Sequence, residues 1–176
     1  TKQAYYASVL KAFDNYSTIA NGKMDEELQY VYSVILRRYG QAEKSKRILQ
    51  KLARESTGYW SSRAKLDLIE QTIEQKRSKN QSLPKELFIK LNNLIAECSE
   101  QNEESNQLRL KAEALYCYIL LETEDELCAR KVLDILTEVE TAGAPNLNVF
   151  KSKALQQLGK LDKATESLLR AIDPNS

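Results

Sequence analysis

Residues 146–172, NLNVFKSKALQQLGKLDKATESLLRAI, are the stretch from which the architecture can be read. Set beneath residues 111–137, KAEALYCYILLETEDELCARKVLDILT, an offset of 35 places Phe150 on Leu115, Ser152 on Cys117, Leu155 on Leu120, Ala164 on Ala129 and Leu168 on Leu133. A further shift of 84 places Val31, Ser33, Ile35, Leu36, Ser45, Ile48, Leu49 and Leu52 on Leu115, Cys117, Ile119, Leu120, Ala129, Val132, Leu133 and Leu136. Three helical hairpins thus share one pattern, and self-similarity at such a period is the signature of a repeat array. Small residues at Ser33, Cys117 and Ser152 face small ones at Ser45, Ala129 and Ala164, so two helices can approach closely while larger residues fill in around them. Such a hairpin cannot bury its outer face alone and must stack.

Working outward, glycine and proline punctuate the chain. In a helix interior they cost about 1 and 3 kcal/mol, and Gly22, Gly40, Gly58, Gly143 and Gly159 each separate apolar-periodic stretches, while Pro84 and Pro145 stand where helices begin. This predicts nine helices near 2–20, 25–39, 41–55, 59–78, 84–99, 105–122, 125–141, 146–158 and 161–172. Ile48, Leu49, Leu52; Leu87, Leu91, Leu94, Ile95; and Val132, Leu133, Leu136, Val139 give these segments one face each to bury. Short connections make neighbours antiparallel. The shift of 84 leaves a middle hairpin over 59–99 that carries an insertion, supplied by the polar run from Lys76 to Leu83.

The last repeat, with Ser152, Leu155, Gly159, Leu161, Ala164, Leu168, Ala171 and a closing Asp173-Pro174-Asn175, resembles a tetratricopeptide repeat. Residues 25–55 and 105–141 resemble it less fully, with Glu124 where glycine is usual, and the middle hairpin matches by periodicity alone. The resemblance implies an all-α, right-handed α-solenoid of antiparallel pairs over 23–176 as a single domain, with hairpins at 25–55, 59–99, 105–141 and 146–172. Residues 1–22 then form a capping or half-repeat helix. A chain that starts at Thr1 and stops just past Pro174, where repeat proteins usually continue into another helix, is expected to be a piece of a longer one.

Composition agrees with a helical protein that buries a core, with 42% hydrophobic residues, 29% charged and only 7% aromatic. No apolar run is long enough to span a bilayer, so no membrane insertion is expected. Cys98, Cys117 and Cys128 form no Cys-x-x-Cys pair and the chain has no histidine, which argues against a zinc site. Cys117 reads as a small buried residue rather than a redox centre, and the odd thiol count leans toward a reducing, cytoplasmic setting. Without histidine, a Gly-rich phosphate loop or a Gly-x-Ser-x-Gly turn, neither an enzyme nor a bound cofactor is expected. Glu122, Glu124, Asp125 and Glu126 read as a helix start favoured by the positive helix end, not a metal site. Charge is uneven: residues 1–80 hold 15 Lys and Arg against 9 Asp and Glu, and residues 81–176 hold 11 against 16.

Protein binding is the function this organisation implies. In the resembled family the first helix of each pair lines a concave groove. Carried over, this gives Glu27, Tyr30, Val34, Arg37 and Arg38 in the first hairpin, Lys111, Ala114, Tyr118, Leu121 and Glu122 in the third, and Asn146, Val149, Lys153, Gln156 and Gln157 in the last. Tyr30, Arg37, Arg38, Lys111, Tyr118, Lys153 and Gln156 are the candidate contacts, tyrosine and arginine being frequent binding anchors. The family's carboxylate clamp is not matched, because Tyr30 and Val34 fill two of its places. Two other readings stay open. The unlike halves suit a spacer or self-association role. Lys44, Arg47, Lys51 and Arg54, recurring on one helix face, suit nucleic acid, against which stand the near-zero net charge and the absence of interleaved aromatics.

Overall fold

A computed structural model describes residues 2–19, 24–98, 102–137 and 145–172, with the side chains of residues 2, 3, 145 and 146 left out. Gly22, Gly143, Val139, the Asn146 side chain, the closing Asp173-Pro174-Asn175 and the expected helix ends at 20, 99 and 138–141 lie outside the described residues. Among the described residues the protein is all helical, with no strand. The helices are α1 (Lys2–Ile19), α2 (Glu26–Arg38), α3 (Ala42–Glu55), α4 (Tyr59–Ser78), α5 (Lys85–Glu97), α6 (Glu103–Leu121), α7 (Glu126–Thr137), α8 (Pro145–Gln157) and α9 (Leu161–Ile172). No helix among the described residues is long and apolar enough to cross a membrane.

Local chemistry sets these boundaries. Asp25 opens α2 by accepting from the Leu28 amide at 2.7 Å, a cap that stabilises a helix by about 1 kcal/mol. Asn102 accepts from the Ser105 amide at 2.8 Å, which starts α6 two residues before the expected 105. Asp125 accepts from the Leu127 amide at 2.9 Å, so the acidic run is a helix start. Left-handed residues end the turns: Gly40 at φ 85° between α2 and α3, and Gly159 at 71° between α8 and α9. Between α6 and α7 the same conformation falls on Glu124, at φ 52°, where a side chain costs about 1–2 kcal/mol. Glycine is missing there in sequence, but its geometry is present. α4 ends at Ser78, as expected, so Lys76, Arg77 and Ser78 of the polar run close the helix and 79–84 form the connection.

The chain divides into two compact units, residues 1–105 and 106–176. In the first, α1 rests on α2, α2 pairs with α3, α3 with α4, and α4 with α5, while α2 also meets α4. Because three helices surround α4, it buries residues around most of its circumference: Ser61, Ser62, Ala64, Leu66, Asp67, Ile69 and Ile73. Leu49, Leu52 and Ala64 form a core against which Tyr30, Ile48, Ala53 and Leu68 pack. Burial stabilises each such leucine by about 1.5–3 kcal/mol. On α1, Leu10 is buried and Phe13 stacks on Tyr32 at 5.1 Å, while the Tyr32 hydroxyl donates to Asp14 at 2.8 Å.

In the second unit α8 packs against both α7 and α9. Its core holds Tyr116, Cys117, Leu121, Ala129, Val132, Leu136, Leu147, Ala154 and Ala164. Cys117 is fully buried beside Glu113, and burial pushes its thiol up to about 12. The α8–α9 hairpin closes tightly enough for the Ser152 hydroxyl to donate to the Ala164 carbonyl at 2.7 Å, the close approach that the small-residue pattern predicts.

Candidate functional site

The first buried residue of α3 is Ser45, of α7 Ala129 and of α9 Ala164. The first buried residue of α5 is Leu87, the third of its helix where the other three stand fourth. Interaxial distance follows the side chains at the contact, and α4 meets α5 more sparingly than it meets α3. Where α5 stands away, a groove of about 1030 Å³ opens, with α3 and α5 as walls and α4 as floor. Ala53, Leu68, Ile69, Leu87 and Leu94 give it an apolar base. Its polar lining mixes both signs, with Arg37, Lys46, Arg54, Lys65 and Lys90 against Glu43, Glu74, Glu86 and Glu97. Lys65 on α4 reaches Glu97 at the end of α5 at 2.6 Å, in keeping with the antiparallel course of the two helices.

A smaller cleft of about 170 Å³ lies between α2 and α4, and here the structure gathers the first hairpin's candidates Tyr30, Val34, Arg37 and Arg38. Arg37 lines both concavities. Tyr30 sits inside a polar network: its hydroxyl donates to Asp67 at 3.0 Å and accepts from Arg63 Nε at 2.8 Å, and Trp60 packs on its ring at 5.3 Å. Arg63 also lies 3.4 Å from the buried Asp67 carboxylate. Burial raises the Tyr30 hydroxyl to about 12; the Asp67 charge adds to the rise and the Arg63 hydrogen bond opposes it. For Arg63, burial favours loss of the proton, but the Tyr30 bond and Asp67 outweigh it and leave the guanidinium more basic than usual. Glu70 at the same cleft is raised by burial and then by Asp67, with Arg63 and Arg37 opposing. Tyr30 therefore ties α2 to α4, while Arg37 and Arg38 stay exposed at the mouth.

In the second unit Lys111, Tyr118, Lys153 and Gln156 are exposed, as is Val149. Tyr118 faces Phe150 across α6 and α8, with ring centroids 6.5 Å apart. Leu121 departs from the expectation: it is buried, and its carbonyl accepts from Gln157 Nε2 at 3.0 Å. A cleft of about 340 Å³ between α7, α8 and α9 is lined by Lys151, Lys160, Lys163 and Arg170, the last paired with Glu166 at 2.7 Å.

Lys44, Arg47, Lys51 and Arg54 all point to solvent from α3, opposite its buried Ser45, Leu49 and Leu52, and Lys51 lies 3.8 Å from Glu55. Exposed pairs of this kind contribute little. The groove over α4 was not among the sequence candidates. Comparison with models of protein families, with curated proteins and with solved structures finds no match.

Proposed function

We propose that this protein is a binding scaffold, a right-handed tetratricopeptide-like α-solenoid whose groove over α4 holds a helical or extended segment of another protein. The observation that carries this reading is the groove itself, about 1030 Å³ with an apolar base and charged edges. That volume stands at the upper end of ordinary ligand pockets. An amphipathic helix laid into an apolar groove is a recurrent mode of peptide recognition. A catalytic role is the weaker reading for a chain without histidine.

The test is affinity capture from the native lysate with the wild-type chain beside two variants. Thr72→Arg with Gln75→Arg fills the groove from the floor helix at half-buried and exposed positions. Tyr30→Ala with Tyr118→Ala and Arg38→Glu alters the first-helix faces instead. A partner held by the wild type and lost, with unchanged helical circular dichroism, by the groove variant supports the reading. A partner indifferent to the groove variant but lost by the tyrosine variant moves the site to the first-helix faces and overturns this one.

A further inference from the structure

The cleft of about 340 Å³ in the second unit is walled by α7, α8 and α9. Lys163, Ser167 and Arg170 line it from α9, and their spacings of four and three residues bring them within about 60° of one another on one helix face. Lys160 stands just ahead of that helix, Lys151 enters from α8 and Thr137 from α7. The charge of this lining differs from that of the unit around it. Residues 106–176 hold nine Lys and Arg against eleven Asp and Glu, yet among the described residues four of those cations and one of those acids line the cleft. Asp134 and Asp162, though next in sequence to lining residues, are not part of it.

The lining acid is already engaged, because Glu166 pairs with Arg170 at 2.7 Å. Among the described residues Lys151, Lys160 and Lys163 form no ion pair, so the cleft presents three uncompensated ammonium groups. Ser167 is a second and independent feature. It is 6% exposed and lines the cleft, and among the described residues its hydroxyl forms no hydrogen bond, although buried polar groups are nearly always bonded. Its neighbours behave differently: Thr137 and Thr165 return their hydroxyls to the carbonyls of Leu133 and Leu161, four residues earlier, at 2.7 and 3.0 Å.

We propose that this cleft binds the phosphoryl group of a phosphate monoester, its oxygens held by Lys151, Lys160 and Lys163 and by the Ser167 hydroxyl. A phosphoryl group brings about 1.5–2 negative charges and three strong acceptor oxygens, which match three ammonium groups and a hydroxyl donor. A carboxylate brings one charge and is met best by the fork of an arginine, and the arginine of this cleft is taken by Glu166. Lysine, acting as a point charge, is a common phosphate ligand. The volume lies at the lower end of ligand pockets and suits one phosphoryl group with a short attached chain. The site belongs to the second unit and does not depend on the groove over α4.

Nuclear magnetic resonance titration of the isotope-labelled whole chain at fixed ionic strength tests it. The probes are inorganic phosphate, an alanine pentapeptide with a central phosphoserine, and the same peptide with glutamate in that place. Inorganic phosphate and the phosphopeptide should each give a saturable shift confined to amides that border the cleft, and the glutamate peptide should bind at least about tenfold more weakly than the phosphopeptide. A phosphopeptide tighter than free phosphate identifies the source as a phosphorylated segment, and equal affinities identify it as a small phosphate ester; both uphold the site. Lys160→Ala with Lys163→Ala, at exposed positions, should weaken phosphate binding about tenfold or more, and Ser167→Ala should weaken it severalfold, with helical circular dichroism unchanged. Lys44→Ala with Lys51→Ala removes as much charge from the exposed side of α3 and should leave the affinity as it was. The inference is overturned by shifts that do not saturate or that spread over the chain, by equal losses in the α3 and cleft variants, or by a Ser167→Ala protein that binds like wild type. A glutamate peptide as tight as the phosphopeptide overturns it as well.

Discussion

In α3–α4–α5 the first buried residue of the third helix is Leu87, and about 1030 Å³ opens over α4. In α7–α8–α9 the first buried residue of the third helix is Ala164, and a cleft of about 340 Å³ lies between the helices. Ala164 lets α9 come near enough for its carbonyl to accept the Ser152 proton. Between α4 and α5 Lys65 pairs with Glu97, partly exposed on both sides, an interaction worth about 0–1 kcal/mol. A large first buried residue thus accompanies the groove and a small one the closed hairpin. The loose pair is compensated elsewhere, because α4 is held to α2 by Tyr30, Arg63 and Asp67.

The contrast can be broken from either side. Leu87→Ala removes a buried side chain, 3% exposed, and should cost about 2–5 kcal/mol in a urea titration. A cost well below that range, together with a smaller radius in solution scattering, would mean that α5 has settled onto α4 and that Leu87 alone props the groove open. Ala164→Leu imposes the open arrangement on the closed hairpin. It should cost about 1–3 kcal/mol and speed hydrogen exchange of α9 amides, leaving those of α3 unaffected. Exchange that stays slow in α9 would show that small residues do not set the spacing.

The smallest effect concerns the α2–α4 tie. The Tyr30 hydroxyl is raised from 10.0 to about 12, chiefly by burial, so the folded state favours its protonated form. Its contribution is fully present below pH 10 and is lost as pH rises through about 12. Tyr32 shifts in the same direction, so the readout is the difference between proteins: Tyr30→Phe should cost about 1 kcal/mol at neutral pH and lose less stability than wild type between pH 10 and 12. Equal losses would mean that the tie does not depend on this hydroxyl.

Much of the fold was legible because helix signals are local. Gly40 and Gly159 lie in left-handed turns, Asp125 caps α7, and Ser33, Ser45, Cys117 and Ala129 are buried as the repeat pattern predicts. The candidate groove residues were legible in part. Arg37 and Arg38 border a cleft and Lys153 and Gln156 are exposed, but Leu121 is buried, because it lies where α6 and α8 meet through Gln157. Asn102 was missed as a cap, since no apolar-periodic residue marks the first turn of α6.

The sequence by itself determined the helices, their buried faces and the small-residue pairs, since each follows from the spacing of residues within a turn or two. Tertiary structure decided what Tyr30 does and where the groove over α4 lies. The partners of Tyr30, Arg63 and Asp67, stand 33 and 37 residues away, and no local pattern records that they meet. The groove depends on the distance between α5 and its neighbours. That distance is set by packing across the interface, which exists only once the helices have come together.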